Sequence, residues 1–250
     1  MSKAATPEAD SVLTKQRFFH YWDLRHSFHR TVVKSANRVL SLVPAQPKYL
    51  VMGKKKEREA PYSLVREGDV VVQVGAPFDT LHSGRSRGFH LALRAGTSGE
   101  SIVIEPHPVS VGEYREMASK FGLNMRVIEG AVADSEGQLD LLYDPVHPAT
   151  NFIDGVAEYA EDEKKRFERR QVRSDRLDDL VGSIDRQVRV LSITTNGAEF
   201  IALDGAPELL SMTDYVALAG PDRTVYDEPL GALGFSFYSF DDRGVTYKRS

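Results

Sequence analysis

The chain has 250 residues, 41% of them hydrophobic, no cysteine and a formal charge of −4 at pH 7. That length allows one large domain, or one domain with an extension, and the apolar content suffices for a sizeable core. Without cysteine there is no disulfide, thiolate metal site or catalytic thiol, and no apolar run approaches the roughly 20 residues that cross a bilayer.

The charge is uneven. Up to residue 60, twelve bases face five acids, about +7, which leaves about −11 for the remainder. Residues 1–10 read as a polar tail without the apolar core of a signal peptide, so the cytoplasm is the default compartment. Phe18, Trp22, Phe28, Val32, Ala36, Val39 and Val43 recur at helical spacing and predict a helix over 12–43. His20, His26, His29 and several bases occupy its other positions. Two readings stand. The helix packs on the folded domain with a solvated basic face, or it meets an anionic membrane surface or an anionic substrate. Pro44 and Pro47 are expected to end it. Residues 54–59 read as a charged link, with no aromatic residue among the bases to stack on nucleic acid, so no nucleic-acid partner is expected. Residues 1–60 thus form a basic, largely helical extension, and 61–250 the folded domain.

That domain is organised around residues 69–108. DVVVQVG at 69–75 is a β-branched run, as in a strand covered on both faces. A helical run follows at 89–94, then a second strand and turn, SIVIEPHP, at 101–108. Sheets buried on both faces are mostly parallel and bind ligands at the carboxyl ends of their strands, where both turns fall. Gly75 permits a sharp turn and a close backbone approach. Glu105, at the tip of the second strand, is placed to accept hydrogen bonds from a ribose diol. The dinucleotide pattern G-x-G-x-x-G is absent, with Pro77 and Asp79 where further glycines would stand; this argues against a nicotinamide or flavin. Between the strands, LHSGRSRG at 81–88 places Arg85 and Arg87 in a loop, either to recognise an anion or as solvated surface groups.

Further along, 111–121 predicts a helix with Gly122 beyond its end, and 126–128 a third strand. A turn at 135–137 leads to a strand at 138–143. Residues 144–151 read as a loop and 154–170 as a highly charged exposed helix or lid. Residues 171–181 read as a strand leading into a helix. VRVLSI at 188–193 is another buried strand, with 200–210 as the next helix. Strands at 215–219, 235–240 and 245–248 complete the sheet, the last two joined by a hairpin turn at 241–244. The expected fold is α/β: a Rossmann-like, doubly wound, mostly parallel seven-stranded sheet with a C-terminal antiparallel hairpin.

Five segments, in order, resemble one family. EGDVVVQVGAPFDT resembles a strand ending in D-x-G-A-N-x-G, and SIVIEPHP an F-E-P-x-P strand end. IEGAVADSEGQLDL resembles A-V-x-D-x-x-G-x-x-x-L, and DRLDDLV resembles T-L-D-D-L. LSITTNGAEFIALDGAPELL resembles K-I-D-V-E-G-A-E and the helix after it. Over roughly residues 66–240 the chain thus resembles FkbM-type, S-adenosylmethionine-dependent methyltransferases. Gln73, Thr194 and Asn196 depart from it, standing where relatives carry acids.

The resemblance implies S-adenosylmethionine as cofactor and O-methylation of a sugar or glycan-like hydroxyl. It places Gln73 and the turn Gly75, Ala76, Pro77 and Phe78 under the methionine part. Glu105 and Pro106 lie at the ribose, Ala131 and Val132 near the adenine, and Thr194 and Asn196 at the methionine or acceptor. His82, His107 and Glu199 are candidate bases, since a histidine titrates near neutral pH. Each histidine can equally be a loop residue with a local partner, and Glu199 a brace for its own turn. No spacing suggests a metal site. The replaced acids also support a different class of function, a non-catalytic binding or assembly module on the same fold.

Overall fold

The computed structural model describes residues 43–144, 148–156, 164–165, 167–220 and 222–250. The helix expected over 12–43 lies almost wholly outside them. Eleven strands form two sheets among these residues. The large sheet holds β1 (Val70–Val74), β2 (Glu100–Glu105), β3 (Met125–Glu129), β8 (Val188–Ile193), β9 (Thr213–Ala219), β10 (Phe235–Phe240) and β11 (Gly244–Arg249). Their order across the sheet is β10-β11-β9-β8-β1-β2-β3. Only β11 runs against the rest, pairing antiparallel with both neighbours. The chain therefore starts in the middle, winds outward to β3, returns to β8 beside β1 and winds out the other way. The step between β1 and β8 is where such sheets open a ligand crevice. The fold expected from the sequence is the fold observed.

Both faces of the sheet are covered. Alternate residues of β1 diverge: Val70, Val72 and Val74 join a core with Leu177, Leu203 and Leu230 from the helices of one layer. Val71, on the other face, packs with Leu91 and Ala95. These come from α3 (Arg87–Ala95), which follows α2 (Phe78–His82). Each layer needs one apolar helix face, so the period of two in the strand decides which helix goes where.

Several expectations are corrected. Residues 81–88 are not one loop: α2 runs to His82, and Arg87 opens α3, capped by Ser86 Oγ accepting from the Phe89 amide at 3.0 Å. Pro47 does not end a helix but lies in the first turn of α1 (Ala45–Lys56), where its missing N–H has no intrahelical acceptor to lose. The charged link at 54–59 is in part the end of α1. This segment packs on the folded domain, with Tyr49 buried against Phe89 and donating its hydroxyl to the Leu81 carbonyl at 2.8 Å. The helix expected at 200–210 is two, α6 (Glu199–Asp204) and α7 (Pro207–Ser211), broken at Pro207. They follow α5 (Leu177–Val181) and precede α8 (Thr224–Ala232). The helix α4 (Pro108–Phe121) ends as expected at Gly122, which adopts the left-handed conformation at φ 64°.

The second sheet is the largest departure. It has the order β4-β7-β5-β6, from β4 (Ala131–Val132), β5 (Gly137–Tyr143), β6 (Phe152–Ile153) and β7 (Glu168–Asp175). Residues 168–170, expected in a charged helix, are strand paired to Tyr143, Leu142 and Leu141. Of the rest of that expectation, 154–156 form a turn, and 157–163 and 166 lie outside the described residues. Most of β7 is exposed, so its charges sit on a solvated face.

Candidate functional site

A crevice of about 80 Å³ opens at the carboxyl ends of β1, β2 and β8. Gly75 and Pro77 form its β1 side, Glu105 and Pro106 its β2 side, and Thr194, Thr195 and Asn196 its β8 side. Gly130, Ala131 and Val132 close one end, and Leu141, Ala149, Asn151 and Phe152 of the small sheet and its loop cover it. Glu105 is the only ionisable residue among the described residues that line it. A hollow of about 380 Å³ on the small sheet is larger, between Gln138, Asp140, Asp154 and Gln171. Its two acids are paired with Arg169, and it lies apart from the strand tips.

Glu105 is held from within the protein. Its Oε2 accepts the Ala76 amide at 2.7 Å and its Oε1 the His107 amide at 2.9 Å. Burial pushes its carboxyl up to about 7, even against those two amides. A carboxylate offers about four acceptor positions, so two donors fix its orientation and leave room for two more. This suits a diol.

The glycine of the first turn acts on the protein itself. Gly75 has φ +81°, and a Cβ there would lie 2.5 Å from the Thr194 carbonyl oxygen. Its lack of a side chain lets the β1 and β8 turns touch. The Thr194 amide donates to the Val74 carbonyl at 2.9 Å across the same seam.

Two of the departures from the family pattern, Gln73 and Thr194, are partners. Gln73 Nε2 donates to Thr194 Oγ1 at 2.8 Å and also lies 2.8 and 2.9 Å from the Val74 and Gly75 carbonyls. Thr194 Oγ1 in turn donates to the Gly75 carbonyl at 3.1 Å. The third departure, Asn196, faces the cover: its Nδ2 donates to the carbonyls of Ala149 at 3.0 Å and Asn151 at 2.6 Å. Asn151 Nδ2 and Thr195 Oγ1 are buried without a hydrogen-bond partner among the described residues.

Of the residues named for the cofactor, Gly75, Pro77, Glu105, Pro106, Ala131, Val132 and Thr194 line the crevice, while Gln73, Ala76 and Phe78 do not. The candidate bases do not line it. His82 lies half-exposed on α2 and pairs with Glu113 of α4, 2.8 Å away. His107 is buried beside the Tyr143 ring, its Nδ1 unpartnered, and burial lowers its pKa. Glu199 sits next to the lining residue Ala198 and accepts the Gly197 amide at 3.1 Å. Burial pushes its carboxyl up to about 7.

The two arginines proposed for an anion are engaged elsewhere. Arg87 is buried and reaches Asp241 and, at 2.8 Å, Asp242 of the hairpin turn. Against the burial that lowers it, these two acids hold its pKa above the usual arginine value. Arg85 donates its Nε to Ser83 at 3.0 Å, and its carbonyl accepts from Arg243. The roof residues Leu141, Ala149, Asn151 and Phe152 escaped the sequence reading. They lie on short strands and a loop with no periodic signal, and only the nearby A-V-x-D segment pointed toward them.

The residues fit the nucleoside part of S-adenosylmethionine: a fixed acceptor for a diol, an apolar slot and an unpartnered amide, Asn151 Nδ2, on the cover. The space does not yet fit it, since pockets for ligands of that size run to roughly 300 Å³ or more. The segment 148–153, tied by Asn196, covers the crevice.

No family model matches the chain, and no curated protein does. Solved structures that it is similar to include fibrillarin from Aeropyrum pernix with natively bound S-adenosyl-L-methionine, at 14% identity and TM-score 0.43 over 80% of this chain and 74% of that one. A second is methyltransferase FkbM from Methylobacillus flagellatus KT, at 13% identity and TM-score 0.46 over 86% of this chain and 58% of that one. A third is a SAM dependent methyltransferase from Aquifex aeolicus, at 14% identity and TM-score 0.38 over 78% and 89%. The likeness is one of fold, and the residue roles rest on the geometry above.

Proposed function

We propose that the chain is an S-adenosylmethionine-dependent methyltransferase acting on a hydroxyl of a sugar or glycan-like acceptor. The observation that carries the cofactor part is Glu105: a buried carboxylate at the tip of β2, oriented by two amides with acceptor capacity left toward the crevice. Glu105 would hold the ribose hydroxyls, Ala131 and Val132 the base, and the β8 turn the other end. Bound there, the cofactor would supply an electrophilic methyl group to the acceptor oxygen and be left as a neutral thioether. The hydroxyl proton must leave, and Glu199, which lies one residue past the lining Ala198 and not in the wall itself, is proposed to take it through an intervening water; a carboxyl near 7 both takes and gives up a proton at neutral pH. The reading is tested by methyl transfer to a panel of monosaccharides and oligosaccharides. Transfer that Glu199→Gln abolishes supports it. No transfer to any member, with cofactor bound, removes the acceptor class.

A second reading, a non-catalytic binding module, is favoured by the Asn196 contacts that fasten the cover. It predicts nucleoside binding without transfer. The basic segment up to residue 60 supports a further proposal, contact with an anionic membrane surface, although Lys48 and Lys56 are already engaged with His82 and Asp242. No described helix is long and apolar enough to cross a membrane. Sedimentation of the intact chain with anionic vesicles, weakening as salt rises, would bear out surface contact. Failure to sediment at low salt would refute it.

A further inference from the structure

We propose that β10 is a self-association edge, along which two copies of this chain join their large sheets as a weak two-fold dimer. The inference does not depend on what the crevice binds.

The strand β10 ends the large sheet. It pairs with β11 on one side, and no strand of the described residues pairs with its other side. A free edge offers a row of backbone donors and acceptors that another strand can take up, unless charge, proline or a cover prevents it. The opposite edge is guarded by charge, since β3 exposes Arg126 and Glu129. β10 reads FSFYSF, with no charge and no proline. A bulge between Phe237 and Ser239 leaves Tyr238 out of the ladder, which shortens the regular pairing without guarding it.

The side chains at this edge point to a second copy as the partner. Of seven large apolar residues exposed among the described residues, three lie here. Leu233 is 42% exposed just before β10, Tyr238 47% within it and Phe240 62% at its end. The Phe240 ring lies 5.1 Å from that of Phe237, which packs on the core shared with Leu230 of α8, the helix that Leu233 follows. Leu233 and Phe240 therefore flank the strand on one layer. A two-fold axis normal to the sheet, near the middle of β10, runs two copies antiparallel and sets each Phe240 toward the partner's Leu233. The charges agree with that direction. Exposed Lys248 lies beside the start of β10 and exposed Asp242 beyond its end, so antiparallel copies bring unlike charges together. An aromatic side chain has about 150–250 Å² to bury, of which about half is open here, so the three residues offer about 300 Å² per copy against about 800 Å² in a standard interface. The dimer is accordingly weak, with a dissociation constant on the order of 100 µM.

The measurement is sedimentation velocity of the intact chain from about 5 µM to about 1 mM, a range that brackets that constant. The wild type should pass from monomer toward dimer as concentration rises and go no further, because the other edge is guarded. Phe240→Glu sets an acid against an apolar side chain, and Tyr238→Lys brings two like charges together near the axis. Each should weaken association about tenfold or more. Val109→Glu, at an exposed apolar residue of α4, should leave it unchanged. A chain that stays monomeric at the highest concentration overturns the inference. So does a dimer that neither edge variant weakens, or one that Val109→Glu weakens as much. Growth beyond the dimer overturns the closed two-fold arrangement. Should an edge variant not fold, the wild-type series and the other variant still decide.

Discussion

If a ribose diol binds Glu105, ligand affinity must depend on pH through that one carboxyl. In the free protein burial holds its pKa at about 7, so near pH 6 about nine carboxyls in ten carry a proton. Oε1 and Oε2 already accept from His107 and Ala76, and two hydroxyl donors would complete the set and favour the ionised form. Bound and free pKa values then separate, and binding in this range releases close to one proton. Between pH 8 and pH 6 affinity should fall about tenfold, or about 1.4 kcal/mol, and by about another tenfold at pH 5. The sign follows from the order of the two values: the complex prefers the deprotonated group, so affinity is full above 7 and is lost as pH falls. The assay is calorimetric titration with S-adenosylhomocysteine across this range, in two buffers of different ionisation enthalpy so that released protons are counted. Glu199 has a similar pKa, so Glu105→Gln is the necessary control, and its profile should be flat. A wild-type affinity unchanged from pH 8 to pH 6, with no proton released, would refute the assignment of Glu105 to the ligand.

Three perturbations test the framework around the crevice. Arg87→Met leaves the Asp241 carboxylate buried but still bonded to the Arg243 and Gly244 amides and Thr246, so chemical denaturation should show a loss near 3 kcal/mol. A loss below 1 kcal/mol would mean that the pair does not join α3 to the hairpin. Gly75→Ala must place a Cβ 2.5 Å from the Thr194 oxygen at positive φ and should cost about 3 kcal/mol or more, whereas Gly122→Ala, with open space around it, should cost about 1. Equal losses at both glycines would contradict the close seam between β1 and β8. Asn196→Ala removes two hydrogen bonds from the cover, worth about 0.5–1.5 kcal/mol each, and should speed amide exchange at Asn151 and Phe152 about tenfold. Unchanged exchange there would show that the cover is held by its packing.

What the sequence made legible was local or periodic. The valine runs of β1 and β8 named buried parallel strands, and the turn at 241–244 named the hairpin that closes the sheet. Glu105 could be placed because a strand end fixes where its side chain begins. Interactions between distant segments were hidden. Gln73 and Thr194 stood out singly as departures, but 121 positions separate them and only the β1–β8 pairing brings them together. Arg87 read as a loop cation because its partners lie 154 and 155 positions away. The first residues of β7, 168–170, looked helical because charges spaced for helical pairs suit a solvated strand face equally well. Pro47 suggested a helix end, though proline is tolerated in a first turn, and the pattern did not show which turn it occupied.

The central claim is that the crevice at the tips of β1, β2 and β8 is a nucleoside site built on Glu105. The most direct measurement is titration of the intact chain at pH 7.5 with S-adenosylhomocysteine and NAD in parallel, repeated on Glu105→Gln. The account predicts binding of the adenosyl ligand, no binding of NAD, and a loss of about 1.5–3 kcal/mol in the variant, the scale of a hydrogen bond to a charged group. Adenosyl affinity that survives in a folded Glu105→Gln protein, or no adenosyl binding by the wild type, would contradict it.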